Sequence, residues 1–359
     1  MAEGCPAHCS YCYLSAWLQG PLVTRVYANL HEILERLPAY LGQGKVTSRS
    51  AGRAHEGTTF EASYYTDPLA IEPITGSLSA AVAWFGRWQA DAQLRFTSKF
   101  ADIETLLQIR HAGHMRMRAS IDPPALASFE GGTAPVSARP LALRRMACAG
   151  CPVGLTITPI IAADRWQVAY GALTTDAAVG LADVTGLDLT VELITHHFTT
   201  GSKAVLENWH PGSGLNISSN NLLTKRTKFG SEKQVYDAAT MRLLRDLFEQ
   251  TIAQALPAAR TLYLDLAGLR VATQLTGRPQ SARLGQTAKN RPDMARAGFL
   301  ILVAGTQIGW RIAVHRNQHL EHGGPIDVPA KTEAAATHRD FRERGHAGCA
   351  CGSRESLHG

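Results

Sequence analysis

Three cysteines, Cys5, Cys9 and Cys12, fall in the stretch "GCPAHCSYCYL" at residues 4–14. The C-x3-C-x2-C spacing puts three thiolates on one tight loop, close enough for all to reach one inorganic centre. A [4Fe–4S] cube normally takes four cysteines, so three leave one iron open to a small molecule that brings its own ligands. Zinc in a closed structural site wants a fourth protein ligand. His8 is the candidate for that ligand, although its place inside the loop makes a tetrahedron awkward to close. Plain thiols are the third reading. Only Met1, Ala2 and Glu3 precede Gly4, so there is hardly any chain in front of the loop to hold it.

The residues around the cysteines narrow the choice. C-x3-C-x2-C followed by an aromatic, here "CPAHCSYCYL", resembles the signature of the radical S-adenosylmethionine superfamily. That resemblance implies an open iron that binds the amino and carboxylate groups of S-adenosylmethionine. It also implies a one-electron cleavage that releases a 5′-deoxyadenosyl radical, with the protein supplying position and shielding.

The rest of the chain must position such a centre. Seven cysteines in 359 residues are too few for a disulfide scaffold, and their clustering points to metal or redox chemistry. No apolar run is long enough to span a bilayer, and the first residues lack the order of a signal peptide, so a cytoplasmic protein with no membrane partner is expected. A net charge of +6 is compatible with DNA, but many proteins with no such partner carry as much.

Beyond the cysteines, helix-like and strand-like stretches alternate. Residues 29–41, 77–89, 102–113, 137–150 and a stretch after Arg165 read as helices, the third with an Asp102 cap and a Gly113 stop. Residues 58–63, 94–99, 115–121, 154–161 and 188–195 read as strands. Such alternation argues for a parallel sheet with covering helices. The expected fold class is α/β, a partial (β/α)6 TIM-like barrel of the radical S-adenosylmethionine type. By analogy its first strand precedes the cysteine loop and would lie before residue 1. The expectation is therefore a chain cut short at its start and lacking that strand; the alternative is a loop anchored only from its C-terminal side. In "MRMRASI", Arg116, Arg118 and Ser120 share one face and Met115, Met117, Ala119 and Ile121 the other. That pattern suits a polar lumen beneath apolar packing, or an edge strand with one wet face.

Over residues 4 to about 256 the chain resembles the spore photoproduct lyase family, in the ordered stretches "CPAHCSYCYL", "TRVYANL", "FEASYYTDPLAIEPITGSL", "LRFTSKF", "RMRASIDP", "FEGGTAPVSARPLA", "AGCPVGLTITPI", "LDLTVELITHHFT" and "KRTKFG". The resemblance implies repair of an ultraviolet lesion in which two thymines are joined through one methyl carbon. It assigns the cluster to Cys5, Cys9 and Cys12, radical return to Tyr11 and Tyr13, S-adenosylmethionine contacts to Lys99 and Ser120, and lesion contacts to Thr66 and Asp67. UV-damaged DNA and an external one-electron reductant of flavodoxin or ferredoxin type are the implied partners. A basic loop holding Lys225, Arg226 and Lys228 suits contact with DNA phosphates. It is equally unremarkable as a solvated surface, and the resemblance is what favours DNA.

The chain also departs from the family pattern. The family's hydrogen-atom donor is a cysteine in the segment matched by "FEASYYTD", and Tyr64 stands there. This leaves two alternatives open: a radical S-adenosylmethionine enzyme with another substrate, or a truncated, catalytically impaired family member. Cys148 and Cys151 in "CAGC" fall at the N-terminal face of the barrel, opposite the chemistry, and read as structural. His196 and His197 close the sixth strand, but a histidine pair is more often structural, and neither is given a catalytic role. Two domains are expected: residues 1–256 as the partial barrel, and 257–359 as a mostly irregular or disordered extension. In that extension only "GFLILVAG" (298–305) is strand-like, and the C-x-C of Cys349 and Cys351 is a weak metal signal.

Overall fold

A computed structural model describes residues 1–12, 23–43, 57–63, 65–215, 221–226, 232–265, 299–303 and 311–315. These all lie in one compact unit, Met1–His315. The chain enters on β1 (Ala2–Glu3) and β2 (His8–Cys9), then β3 (Val23–Tyr27) and α1 (Leu30–Arg36). Strands and helices then alternate: β4 (Thr58–Glu61), α2 (Pro68–Thr75), α3 (Ser77–Phe85), β5 (Ala92–Ser98), α4 (Glu104–Leu107) and β6 (Met115–Ile121). Next come β7 (Glu130–Gly131), α5 (Ala138–Cys148), β8 (Val153–Ile160), α6 (Trp166–Leu181), β9 (Leu189–Thr195) and α7 (Thr200–Trp209). The hairpin β10 (Leu222–Arg226) and β11 (Glu232–Tyr236) leads to α8 (Ala238–Ala255) and β12 (Arg260–Asp265). Finally, β13 (Phe299–Val303) and β14 (Arg311–His315) pair with each other, and β13 with β3.

Six strands form one parallel sheet in the order β4-β5-β6-β8-β9-β12, the half-barrel expected of this fold class. Alternation decides what each strand shows to either side. Leu94, Phe96, Met115, Met117, Leu155 and Val191 pack in one core with Phe85, Leu143 and Phe248 from the helices. Each such side chain contributes about 1.5–3 kcal/mol by leaving water. β6 lies between β5 and β8 with all seven residues buried, so the edge-strand reading is excluded and Arg116, Arg118 and Ser120 face a lumen.

The lumen is layered with charge. Arg116 donates to Val153 O at 2.8 Å and to Asp188 at 2.7 Å, and Arg260 reaches the other Asp188 oxygen at 2.6 Å. Above it, Arg118 pairs with Glu192 and with Glu61 at 2.8 Å, while Arg95 meets the same Glu61 at 2.9 Å. A buried charge without a partner costs several kcal/mol, and here each arginine faces a carboxylate.

The structure differs from the sequence reading in four places. The sixth strand of the sheet is β12, beyond the boundary expected at residue 256. The helix expected over residues 102–113 is one turn, α4. Ala112 and Gly113 take positive φ as the chain turns into β6, and tertiary placement overrides the local pattern. The basic segment is not a loop at Lys225 and Arg226, which end the exposed strand β10. The cysteine loop is held from the front as well: the Met1 amino group donates to Ala62 O at 3.2 Å, Ser63 to Ala2 O at 2.8 Å and Thr66 to Gly4 O at 2.7 Å. Glu3 also bridges Tyr65 in parallel, a few residues past β4. Gly4 makes this entry possible, with φ +78 and a position where a Cβ would lie 2.2 Å from Val23 O.

The strand-like run at 298–305 forms β13. Cys349, Cys351 and the other residues after 315 lie outside the described residues. No helix among the described residues is long and apolar enough to cross a membrane.

Candidate active site

The C-terminal ends of parallel strands are where open α/β sheets build their sites, and the cysteine loop lies over that rim. β2 pairs with β7, which comes after β6 in the chain. Cys9 and Tyr11 pack with Leu126 and Ile161, from the segments after β6 and β8. Cys5, Cys9 and Cys12 share one neighbourhood: Cys12 acts electrostatically on both other thiols. Burial pushes the Cys5 thiol up to about 12, with Asp67 and Cys12 adding to it. Burial raises Cys9 as well, while the Lys99 charge pulls it back.

Among the described residues no three His, Cys, Asp or Glu side chains are placed to hold a single metal ion. His8 is exposed on β2, with its backbone paired to β7. A cube spreads its thiolates wider than a single ion does. Three neighbouring thiols with a cation beside Cys9 fit a cluster that keeps one open iron.

Lys99 directly succeeds β5 and points into the lumen top. Its ammonium contacts Asp122, Glu130 at 2.6 Å and Thr158 O at 3.1 Å. Burial alone would lower its pKa, but the two carboxylates outweigh that and raise it. Glu130 also accepts from the Tyr11 hydroxyl and from Arg139, whose guanidinium lies 3.9 Å from Asp122. Burial and the Glu130 charge raise the Asp122 carboxyl, whereas Lys99, a hydrogen bond with Asp122 and the Arg139 guanidinium overcome burial and hold Glu130 low. Three buried polar atoms in this region lack a hydrogen-bond partner: Asp122 Oδ1, Thr156 Oγ1 and His196 Nε2. Such atoms are costly unless a ligand or water meets them, so the lumen suits a polar guest.

The other expected residues divide. Ser120 is buried on β6, its hydroxyl 3.4 Å from Thr158 O. Asp67 caps α2: one oxygen accepts from Leu69 N, Ala70 N and Ser98 Oγ, the other from Lys99 N at 2.8 Å. Burial lifts its carboxyl to about 6 against those donors. Thr66 is buried and donates to Gly4 O, so Thr66 and Asp67 join the loop entry, α2 and β5. Lys225 and Arg226 sit on a hairpin whose Gln234 backbone pairs with Phe198, just past β9 on the same rim. Tyr13, Tyr64 and Lys228 lie outside the described residues. Cys151 is at the opposite face, its thiol on Met115 O at 3.3 Å, as a structural cysteine should be.

Asp122, Glu130 and Arg139 escaped the sequence reading. Asp122 stood in plain view, two residues after Ser120 at a strand end in "RASIDP". Nothing local marks Glu130 or Arg139 as neighbours of Lys99.

A parallel half-barrel with a three-cysteine loop over its C-terminal rim defines a radical S-adenosylmethionine enzyme. The model of the family described as spore photoproduct lyase matches residues 1–265. The chain belongs to the spore photoproduct lyase family. It is 34% identical over 264 residues to the spore photoproduct lyase of Geobacillus sp. (strain Y412MC61), covering 73% of this chain and 74% of that one. It is 33% identical to the Bacillus subtilis (strain 168) enzyme, again covering 73% of this chain and 74% of that one. A spore photoproduct lyase variant solved with bound AdoMet and dinucleoside spore photoproduct superposes with a TM-score of 0.66 at 33% identity, covering 73% of this chain and 74% of that one.

Proposed function

We propose that this chain is a DNA-repair lyase that reverts the spore photoproduct. The observation that carries the reading is the cysteine loop seated on the rim of a parallel half-barrel, with Lys99 beneath it. When bound, a [4Fe–4S] cluster and S-adenosylmethionine supply the one-electron chemistry that generates a carbon radical. Cys5, Cys9 and Cys12 hold the cluster, with the Lys99 charge close to Cys9. Lys99 would exchange its Asp122 contact for the carboxylate of the bound sulfonium compound while keeping Glu130, and Ser120 would add a hydroxyl from the neighbouring strand. The ion pair of Arg118 with Glu192, buried on both sides, closes the lumen below the site. Tyr11, buried over the rim, stands between the loop and the lumen, where hydrogen-atom return is required, and Tyr13 shares that role. Asp67 and Thr66 serve the lesion through the segment they anchor, since both Asp67 oxygens are already engaged.

The basic hairpin with Lys225 and Arg226, continued by Lys228, meets the phosphates of damaged DNA, and a lesion extruded from the stack enters beside it. An external flavodoxin- or ferredoxin-type protein provides the electron. Tyr64 takes the family cysteine's place as hydrogen-atom donor, and it is the residue on which a different substrate or an impaired reaction would turn.

Anaerobic reconstitution with iron and sulfide tests the reading. The chain should turn brown and cleave S-adenosylmethionine to 5′-deoxyadenosine on reduction, and Cys9→Ala should do neither. Lesion-bearing dinucleotide that stays intact while 5′-deoxyadenosine accumulates would point to another substrate. A Tyr64→Cys variant with higher repair yield would locate the defect at the donor.

A further inference from the structure

One side of the cysteine loop is gripped by a segment to which the proposed chemistry assigns no task. β7 pairs with β2 in the register Cys9 to Glu130 and His8 to Gly131, and Ser10 N–H donates to Phe129 O at 2.8 Å. The approach needs Gly131, where a Cβ would stand 3.0 Å from His8 Cβ and 3.1 Å from His8 O. From this clamp the Glu130 side chain turns into the interior and is fully buried. One carboxylate oxygen accepts from the Tyr11 hydroxyl and from Lys99. The other accepts from Arg139, itself fixed by Ser120 O at 3.0 Å, Thr133 Oγ1 at 3.0 Å and Ala134 O at 2.9 Å.

We propose that Glu130, backed by Arg139, is a positioning residue that sets the Tyr11 phenol and the cysteine loop against the barrel rim. The part of this that concerns radical return rests on the function proposed above. A desolvated carboxylate that accepts from a phenol and two cations makes charge-assisted bonds, roughly twice as strong as neutral ones. Lys99 also lies 5.6 Å from the Tyr11 ring centroid, so the phenol is held at its hydroxyl and on its face. A displacement of about 1 Å at such a group can cost on the order of a hundredfold in rate. Glu130 touches neither cofactor nor lesion in this scheme; it acts through Tyr11.

Hydrogen–deuterium exchange on the full chain, prepared anaerobically, reads the positioning directly. Glu130→Gln, which keeps size and an acceptor, and Glu130→Ala should raise exchange in residues 8–12 more than about tenfold. Exchange in α8 should not change. A second arm counts 5′-deoxyadenosine formed per lesion repaired. Glu130→Gln and Tyr11→Phe should each raise that ratio several-fold, and the double variant should exceed neither, because one residue acts through the other. Unchanged exchange in residues 8–12 for both Glu130 variants, an equal rise in α8, or multiplying effects in the double variant would each overturn the proposal. If the wild-type chain forms no 5′-deoxyadenosine, the proposed function falls, and the exchange arm alone decides the positioning.

Discussion

His196 offers a test that needs no cluster and no substrate. It stands just past β9, is 9% exposed, and its Nε2 has no hydrogen-bond partner. Burial, with the neighbouring His197 charge adding to it, outweighs a hydrogen bond with the Tyr11 backbone and lowers its pKa from 6.5 to about 4. The unfolded chain therefore accepts a proton that the folded chain refuses. Stability from this residue is intact above the unfolded pKa and is lost as pH falls toward the folded one. The two values give a cost of about 1 kcal/mol at pH 6, about 2 kcal/mol at pH 5 and about 3 kcal/mol at pH 4. His196→Asn removes the titration. Urea unfolding of both proteins at matched pH values isolates the effect, because titrating groups away from His196 and its neighbour His197 cancel in the difference. Whatever its stability near pH 8, the variant should gain about 3 kcal/mol on the wild type by about pH 4. Parallel curves for the two proteins would refute the reasoning and mean that the ring takes up its proton where it lies.

The same geometry leads to three other outcomes. Arg139→Met leaves Glu130 and three other acceptors short of a buried donor, and should cost about 3–5 kcal/mol in thermal or urea unfolding; a loss below about 1 kcal/mol would mean that Lys99 and Tyr11 suffice. Gly4→Ala forces a side chain into positive φ and onto the Val23 carbonyl, so iron bound per chain after reconstitution should fall well below wild type. Exchanging Lys225 and Arg226 together for Glu should weaken binding to a lesion-bearing duplex and reduce the salt slope by about two, while turnover of the free dinucleotide holds; an unchanged slope would remove the hairpin from the DNA path.

Much of this was legible along the chain, because the determining chemistry is local. Three thiols separated by so few residues must share a loop, whatever the remainder of the chain does. Alternation in "MRMRASI" divides arginines from methionines because successive side chains on a strand point to opposite sides. Whether the arginine side met water or a lumen depended on β5 and β8 arriving on either flank, and only the assembled sheet decides that. Helix ends were less legible: residues 102–113 carry helical spacing, yet the need to turn into β6 stops α4 after one turn. The assembly around Lys99 lay furthest from view. Lys99, Asp122, Glu130 and Arg139 come from four segments, and Tyr11 from a fifth. No spacing rule connects them, since their meeting is set by strand order and by the clamp of β7 on β2. The sequence by itself determined the thiol trio and the two-sided strands, through bonds and periodicities a few residues long. Tertiary structure alone decided which buried charges face one another, because a carboxylate chooses its partner by distance through space and not by position along the chain.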